Sequence, residues 1–201
     1  EWKLRQILPE VQCAGDDAGV MTAEGAKLLD PTGKLEAGAL MAPPEGDAGT
    51  GMAATNAVAV RTGNVSAGTS VFAMIVLEKM LSKVYPEIDM VTTPTGKPVA
   101  MVHCNNCTSD INAWAGMLKG FVDACGLNIS MNDIYVNLFN AALNGEKDCG
   151  GVVNVPLFSG EPVVGLDEGR PMMVRMPDAK LTFANFARSL VAGAMTSLKI
   201  G

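Results

Sequence analysis

The stretch GNVSAGTSVFAMIVLE, residues 63–78, decides the fold. It sets Ala67-Gly68-Thr69-Ser70 directly before an unbroken apolar run, Val71 to Leu77. Asn64–Ser66 and Val71–Leu77 are spaced as two strands of a hairpin closed by that small polar turn. The apolar strand buries, while the turn keeps hydroxyls and backbone N–H groups at the surface. Gly68 is free to take a left-handed conformation. Successive N–H groups in such a turn form a nest that binds an anion without any basic residue. The same Gly-Thr-Ser also makes an ordinary hairpin turn, and the stretch by itself leaves both readings open.

Working outward, Val99–His103 reads as a third strand after the turn Pro94-Thr95-Gly96. Ser109–Cys125 has helical spacing, with Ile111, Trp114, Leu118, Phe121 and Val122 on one side. A second helix runs from Asp133 to Leu143 and is ended by Asn144-Gly145. Val152–Phe158 and Met172–Met176 are strands, and Thr182–Leu198 is a last helix with Thr182 as its cap. Upstream, residues 1–20 form an amphipathic start with a polar turn at Gly15-Asp16-Asp17. A short helix capped by Thr22 runs to Leu29 and stops at Asp30-Pro31-Thr32-Gly33. Glu36–Ala42 reads as a small strand, closed by Pro43-Pro44. A helix of small residues then follows Gly46-Asp47 to about Val58. Strands followed by helices and further strands give an α/β class.

The 201 residues are 48% apolar and 18% charged, which is ample material for a core. A net charge of −6 with no basic cluster speaks against a nucleic-acid partner, since phosphate neutralisation at scale needs a basic face. No apolar run approaches the ~20 residues of a membrane helix, and no signal peptide opens the chain. A chain starting at Glu1 and ending in Lys199-Ile200-Gly201 is expected to be a piece of something larger.

Two constellations could carry chemistry besides the turn. In Gly46-Asp47-Ala48-Gly49-Thr50-Gly51, Asp47 stands at the start of a helix. Its carboxylate either caps that helix or serves as a general base, with the flanking glycines letting a substrate approach the backbone. His103-Cys104-Asn105-Asn106-Cys107 has zinc-like spacing but lacks a second matched pair. Cys13, Cys104, Cys107, Cys125 and Cys149 are read as reduced, inert thiols of a cytoplasmic protein. His103 is read as a hydrogen-bonded partner. No metal site is assigned to protein side chains.

The Asp47 and Gly68–Ser70 elements together resemble the FGGY family of carbohydrate kinases. The matching stretch is EGDAGTGMAATNAVAVRTGNVSAGTSVFAMIVLE, residues 45–78. Three further stretches are similar to family segments: residues 8–30, residues 101–124, and LFSGEPVVGLDEGRP at 157–171. The resemblance implies an actin-like, ribonuclease-H-like fold, here incomplete. Residues 1–58 would close the N-terminal sugar-binding domain, and 59–201 would start the C-terminal nucleotide-binding domain. It implies Asp47 as the base that takes the proton of a sugar hydroxyl. Gly68, Thr69 and Ser70 would then contact the phosphates of ATP, and Gly116 would lie near the nucleotide. Mg²⁺ would accompany ATP, holding mostly waters and phosphates. Xylulose is the first substrate the resemblance suggests, followed by ribulose, rhamnulose and fuculose. A homodimer fits the same picture, and the piece alone is expected not to turn over. Pro162 after Glu161, where many members have Arg, and the Cys104–Cys107 loop depart from the xylulose-kinase pattern. The competing class is a non-catalytic actin-like protein that binds nucleotide without transferring phosphate.

Overall fold

A computed structural model describes residues 3–201, so the first two residues of the amphipathic start lie outside the described residues. The chain begins with the short helices α1 (Leu4–Ile7) and α2 (Ala23–Leu29), then α3 (Asp47–Ala54). Strands β1 (Gly63–Ala67), β2 (Val71–Val76), β3 (Asp89–Thr92) and β4 (Pro98–Cys104) follow. Helices α4 (Thr108–Ala124) and α5 (Met131–Leu143) precede a ribbon of β5 (Val152–Val155) and β6 (Met172–Arg175). Helices α6 (Phe183–Ala194) and α7 (Thr196–Ile200) end the chain.

β1 to β4 form one antiparallel sheet in the order β1-β2-β4-β3. Side chains alternate across a strand, and here both faces are covered. Phe72, Met74 and Val76 share one face with Val91, Val99 and Met101, and α3 lies on it through Ala48 and Met52. Val71, Val102 and Cys104 face the other way, into the larger core built by Ile111, Leu138, Ala142, Ala187, Leu190 and Ala194. That double coverage is why β2 reads as a continuous apolar run rather than an alternating one. Trp114 meets Phe186 edge-on at 5.1 Å, tying α4 to α6. No described helix is long and apolar enough to cross a membrane.

The hairpin, α4, α5, β5, β6 and the Thr22 and Thr182 caps form where the spacing puts them. Thr22 Oγ1 accepts from Gly25 N at 2.9 Å, and Thr182 Oγ1 from Asn185 N at 3.1 Å. Five expectations are corrected. Glu36–Ala42 makes only a single bridge, Val20 to Leu40, because Gly38 turns the chain at φ +91°. The helix after Asp47 stops at Ala54: Thr55 Oγ1 bonds back to Gly51 O at 2.8 Å, and Asn56 is left-handed at φ 55°. β3 carries too few inward apolar residues to show a pattern. The last helix divides at Met195, whose φ of −104° ends α6 before α7 begins. Phe121 is 65% exposed, because the inward stripe of α4 runs through Ile111 and Ala115.

The cysteines are free: Cys104, Cys107 and Cys149 are buried, while Cys125 is exposed. Burial pushes the Cys104 thiol up to about 11, helped by the charge of Glu161 and by Cys107. Burial also raises Cys107 and Cys149. Among the described residues no group of three acidic, Cys or His side chains could hold a metal ion. Cys104 and Cys107 both pack in the larger core.

Two outcomes test this packing. The thiolate is the reactive form, so at pH 8 an aromatic disulfide reagent should modify Cys125 rapidly. Cys104, Cys107 and Cys149 should react only on unfolding, and equally fast release of all five thiols would contradict their burial. Gly193 on α6 sits so close to β5 that a Cβ would stand 2.7 Å from the Asn154 carbonyl oxygen. Alanine gains about 1 kcal/mol of helix propensity, but overpacking against backbone costs about 1–3 kcal/mol. Gly193→Ala should therefore lower stability by up to about 2 kcal/mol in urea unfolding. A stabilised variant would mean that the two elements do not pack this tightly.

Candidate active site

The tip of the β1–β2 hairpin holds the first candidates. Ala67 pairs with Val71, leaving Gly68, Thr69 and Ser70 as a three-residue turn. Gly68 N donates to Ser70 O at 2.8 Å. Gly68 is not left-handed, so the nest expected there does not form in that way. A Cβ at Gly68 would meet only Ser70 O, at 3.8 Å. Glycine there leaves open surface beside the turn rather than relieving backbone strain.

The turn is fixed from below by α4. Cys107 N donates to Thr69 O at 3.0 Å, and Thr108 N to Gly68 O at 3.1 Å. Thr108 Oγ1 adds a third bond to Gly68 O at 2.8 Å. A helix start leaves several N–H groups without intrahelical partners. Here no side chain caps α4 at Cys107, and the carbonyls of the turn take that place. Thr69 is exposed and Ser70 half-buried. With its carbonyls occupied, the turn has N–H groups and hydroxyls left to offer.

Asp47 lies at the start of α3 but is not its cap. Gly46 is the N-cap and Asp47 the first helical residue. Asp47 Oδ1 accepts from Ala48 N at 2.8 Å, and among the described residues Oδ2 has no hydrogen-bond partner. No strand leads into it, contrary to expectation. Glu45 Oε1 accepts from Gly46 N at 2.9 Å, and its carboxylate lies over Gly49 where a Cβ would collide with it. A side chain at Gly49 would have to displace the exposed Glu45 carboxylate. Ala48, beside Asp47, and Phe72, just after the turn, pack into the same cluster. One sheet thus carries both candidates, α3 on its face and the turn at its end.

Gly116 is placed elsewhere. It lies eight residues beyond Thr108, about 12 Å along α4 at 1.5 Å per residue. It is exposed, and a Cβ there would meet nothing within 4 Å. The structure does not bring it to the turn. His103 is exposed and packs edge-on against Phe72 at 6.1 Å, without the side-chain hydrogen bond expected of it among the described residues. A cleft of about 320 Å³ runs beside α4 between Ala113, Trp114, Met117 and Met172. The buried pair Asp110 and Asn154 lies at its base, joined at 2.7 Å.

The spacing did not reveal Asn106 and Glu161. Both are buried, Glu161 completely. Glu161 Oε2 accepts from Asn106 N at 3.2 Å and from Asn106 Nδ2 at 3.0 Å. Asn106 Oδ1 accepts from Phe158 N at 2.8 Å and Ser159 N at 2.9 Å. Asn105 Nδ2 reaches Gly160 O at 2.9 Å. Glycines at 160 and 169 let segments 158–161 and 166–169 cross backbone to backbone, where a Cβ would collide. The only signal in the sequence is the polarity of Asn105-Asn106 inside an apolar strand–helix junction.

Comparison with known proteins follows from this geometry. The family model for the C-terminal domain of the FGGY family of carbohydrate kinases matches residues 63–201. No curated protein matches the chain in sequence. Among solved structures, xylulose kinase from Rhodospirillum rubrum is similar over 96% of this chain and 36% of its own, with TM-score 0.71 and 16% identity. Xylulose kinase from Bifidobacterium adolescentis matches 85% of this chain and 32% of its own, with TM-score 0.56 and 24% identity. Glycerol kinase from Plasmodium falciparum, solved with ADP, matches 96% and 36%, with TM-score 0.64 and 16% identity. The chain thus spans about a third of the length of these kinases. The likeness gives the fold as the actin-like, ribonuclease-H-like α/β class. With the family match running from the first strand of the hairpin through the last helix, the chain belongs to the FGGY family of carbohydrate kinases.

Proposed function

We propose that the protein carrying this chain transfers the γ-phosphate of MgATP to a hydroxyl of a ketose or polyol. Within it, residues 1–58 belong to the sugar-binding domain and 59–201 to the nucleotide-binding domain. The observation that carries this reading is the state of the Gly68–Ser70 turn. Its Gly68 and Thr69 carbonyls are bound by the start of α4 and its Ser70 carbonyl by Gly68 N, so what it offers a ligand is the N–H groups and hydroxyls of Thr69 and Ser70. Backbone N–H groups beside hydroxyls that can turn to donate suit phosphate oxygens. Phosphoryl transfer asks little covalent chemistry of a protein and much positioning, which a turn rooted in a buried strand and a long helix supplies.

Asp47 takes the complementary role. Oδ2, with no protein partner, accepts the proton of the attacking hydroxyl. The bond from Ala48 N holds Oδ1 and orients the carboxylate. Thr69 and Ser70 bind the phosphate oxygens, and Gly68, with no side chain, leaves the open surface over which they approach. A Mg²⁺ brought in on the nucleotide would keep several of its waters and ask few ligands of the protein. That ion would neutralise the transferring charge.

Xylulose is the first substrate to try, because solved structures named as xylulose kinases are similar along most of the chain. A gluconate kinase and a glycerol kinase are similar too, so both sugars belong in the same panel. A second reading is favoured by one observation. Asp47 already serves α3 through its bond to Ala48 N, a role a nucleotide-binding protein without transferase activity would keep.

Asp47→Asn separates the two. The amide oxygen keeps the bond to Ala48 N, so stability should stay within about 0.5 kcal/mol of wild type in urea unfolding. It cannot accept the proton, so sugar-dependent ADP release by the full-length protein should fall by about 10²–10⁴-fold. Equal turnover in the variant would remove Asp47 from the base role. A wild type that binds MgADP but releases none from any sugar of the panel would leave the non-catalytic reading.

A further inference from the structure

We infer that Glu161 is a positioning residue that acts through Asn106 to hold the Gly68–Ser70 turn in its ligand-ready form. The inference rests on the reading of that turn as the phosphate site.

The path is short and continuous. Glu161 Oε2 receives both the backbone N–H and the side-chain amide of Asn106. The next residue, Cys107, donates its N–H to Thr69 O, and Thr108 donates twice to Gly68 O. A shift at Asn106 therefore moves the donors on which the turn rests. Glu161 itself has little freedom. Its N–H donates to Leu166 O at 2.7 Å, and its carbonyl accepts from Leu166 N at 3.2 Å and Val164 N at 3.1 Å. The other face of Asn106 is held by Phe158 N and Ser159 N.

Burial singles out Glu161 among the acidic residues of this region. It is fully buried, yet Oε1 has no hydrogen-bond partner among the described residues. A carboxylate is costly to bury and costlier with an unmatched oxygen. A residue chosen for core stability alone would be apolar here. What the carboxylate adds is one oxygen accepting two N–H groups of the same residue, fixing both backbone and side chain of Asn106. The buried thiol of Cys104, close enough to feel the charge of Glu161, is only a weak acceptor and cannot replace it.

The test uses the full-length protein with two readouts besides turnover: MgADP affinity by calorimetry, and amide hydrogen exchange across residues 105–109. Glu161→Ala should raise the MgADP dissociation constant at least tenfold and speed exchange at Cys107 and Thr108 by a similar factor. Sugar affinity without nucleotide should stay within twofold, a split that general loss of structure would not produce. Because the alanine variant leaves two Asn106 donors unmatched and risks misfolding, two further variants accompany it. Asn106→Asp puts a carboxylate beside Glu161 and should weaken MgADP at least tenfold. Glu161→Gln keeps one amide oxygen to accept both Asn106 donors, and most of the MgADP affinity should remain. Wild-type MgADP affinity and exchange in both Glu161→Ala and Asn106→Asp would overturn the inference while leaving the phosphate reading intact. A wild type that binds no MgADP overturns the phosphate reading, and this inference with it.

Discussion

The start of α4 has no side-chain cap, and the structure depends on what replaces one. Its leading amides end on carbonyls of the hairpin turn, forty residues back in sequence for Thr108. A helix terminus that borrows its acceptors from a turn is tied to the position of that turn. The turn, closed on itself by Gly68 N on Ser70 O, gains three further bonds when the helix starts at Thr108. Net hydrogen bonds of this kind contribute about 1 kcal/mol each, but leaving a buried donor without a partner costs about 1–3 kcal/mol. The penalty for a misplaced partner exceeds the gain from a correct one. The junction is therefore specified more strongly than its bond energies suggest.

The same asymmetry governs the polar groups around it. Asp110, in the first turn of α4, is buried and bound by Asn154 of β5. Asn106, just before α4, is buried and bound by residues 158–161. Two buried polar contacts thus fix the start of one helix against β5 and the chain that follows it. The apolar core of Ile111, Leu138 and Leu190 supplies most of the burial energy, but it is tolerant of small shifts. Direction-sensitive bonds between buried polar groups set the register of that helix.

Much of this was legible in the sequence. The hairpin showed itself because β2 is apolar on both faces, and α4 to α6 because their inward residues keep a helical period. The Thr22 and Thr182 caps showed because a side chain and an N–H three residues on make a local pair. Asp47 was placed at its helix start, though as the first helical residue rather than the cap, since Gly46 takes the extended backbone that a cap requires. What stayed hidden lies in pairings at long range. Glu161 and Asn106 are 55 residues apart, and both are types that default to the surface. β3 has only Val91 packed against the cluster of Met52, Met74, Val76 and Val99, so no alternation marks it. Gly68 was misread in conformation because glycine permits a positive φ without requiring it.

The two candidate elements are held with unequal firmness, and that difference bears on the proposed reaction. The turn is anchored in the larger core through Val71 and through α4, with bonds that penalise displacement. Asp47 sits on an eight-residue helix attached to the sheet mainly by Met52 and Ala48. Methionine is flexible and forgiving of small slides, and α3 has no side-chain bond at its cap. Phosphoryl transfer needs the phosphate held still, because charge must be matched at fixed oxygens. The base needs only hydrogen-bond reach of one hydroxyl proton, and that reach tightens when substrate arrives. In the proposed reaction a rigid turn and a more loosely seated carboxylate would divide those two demands between them, both arranged on a single sheet.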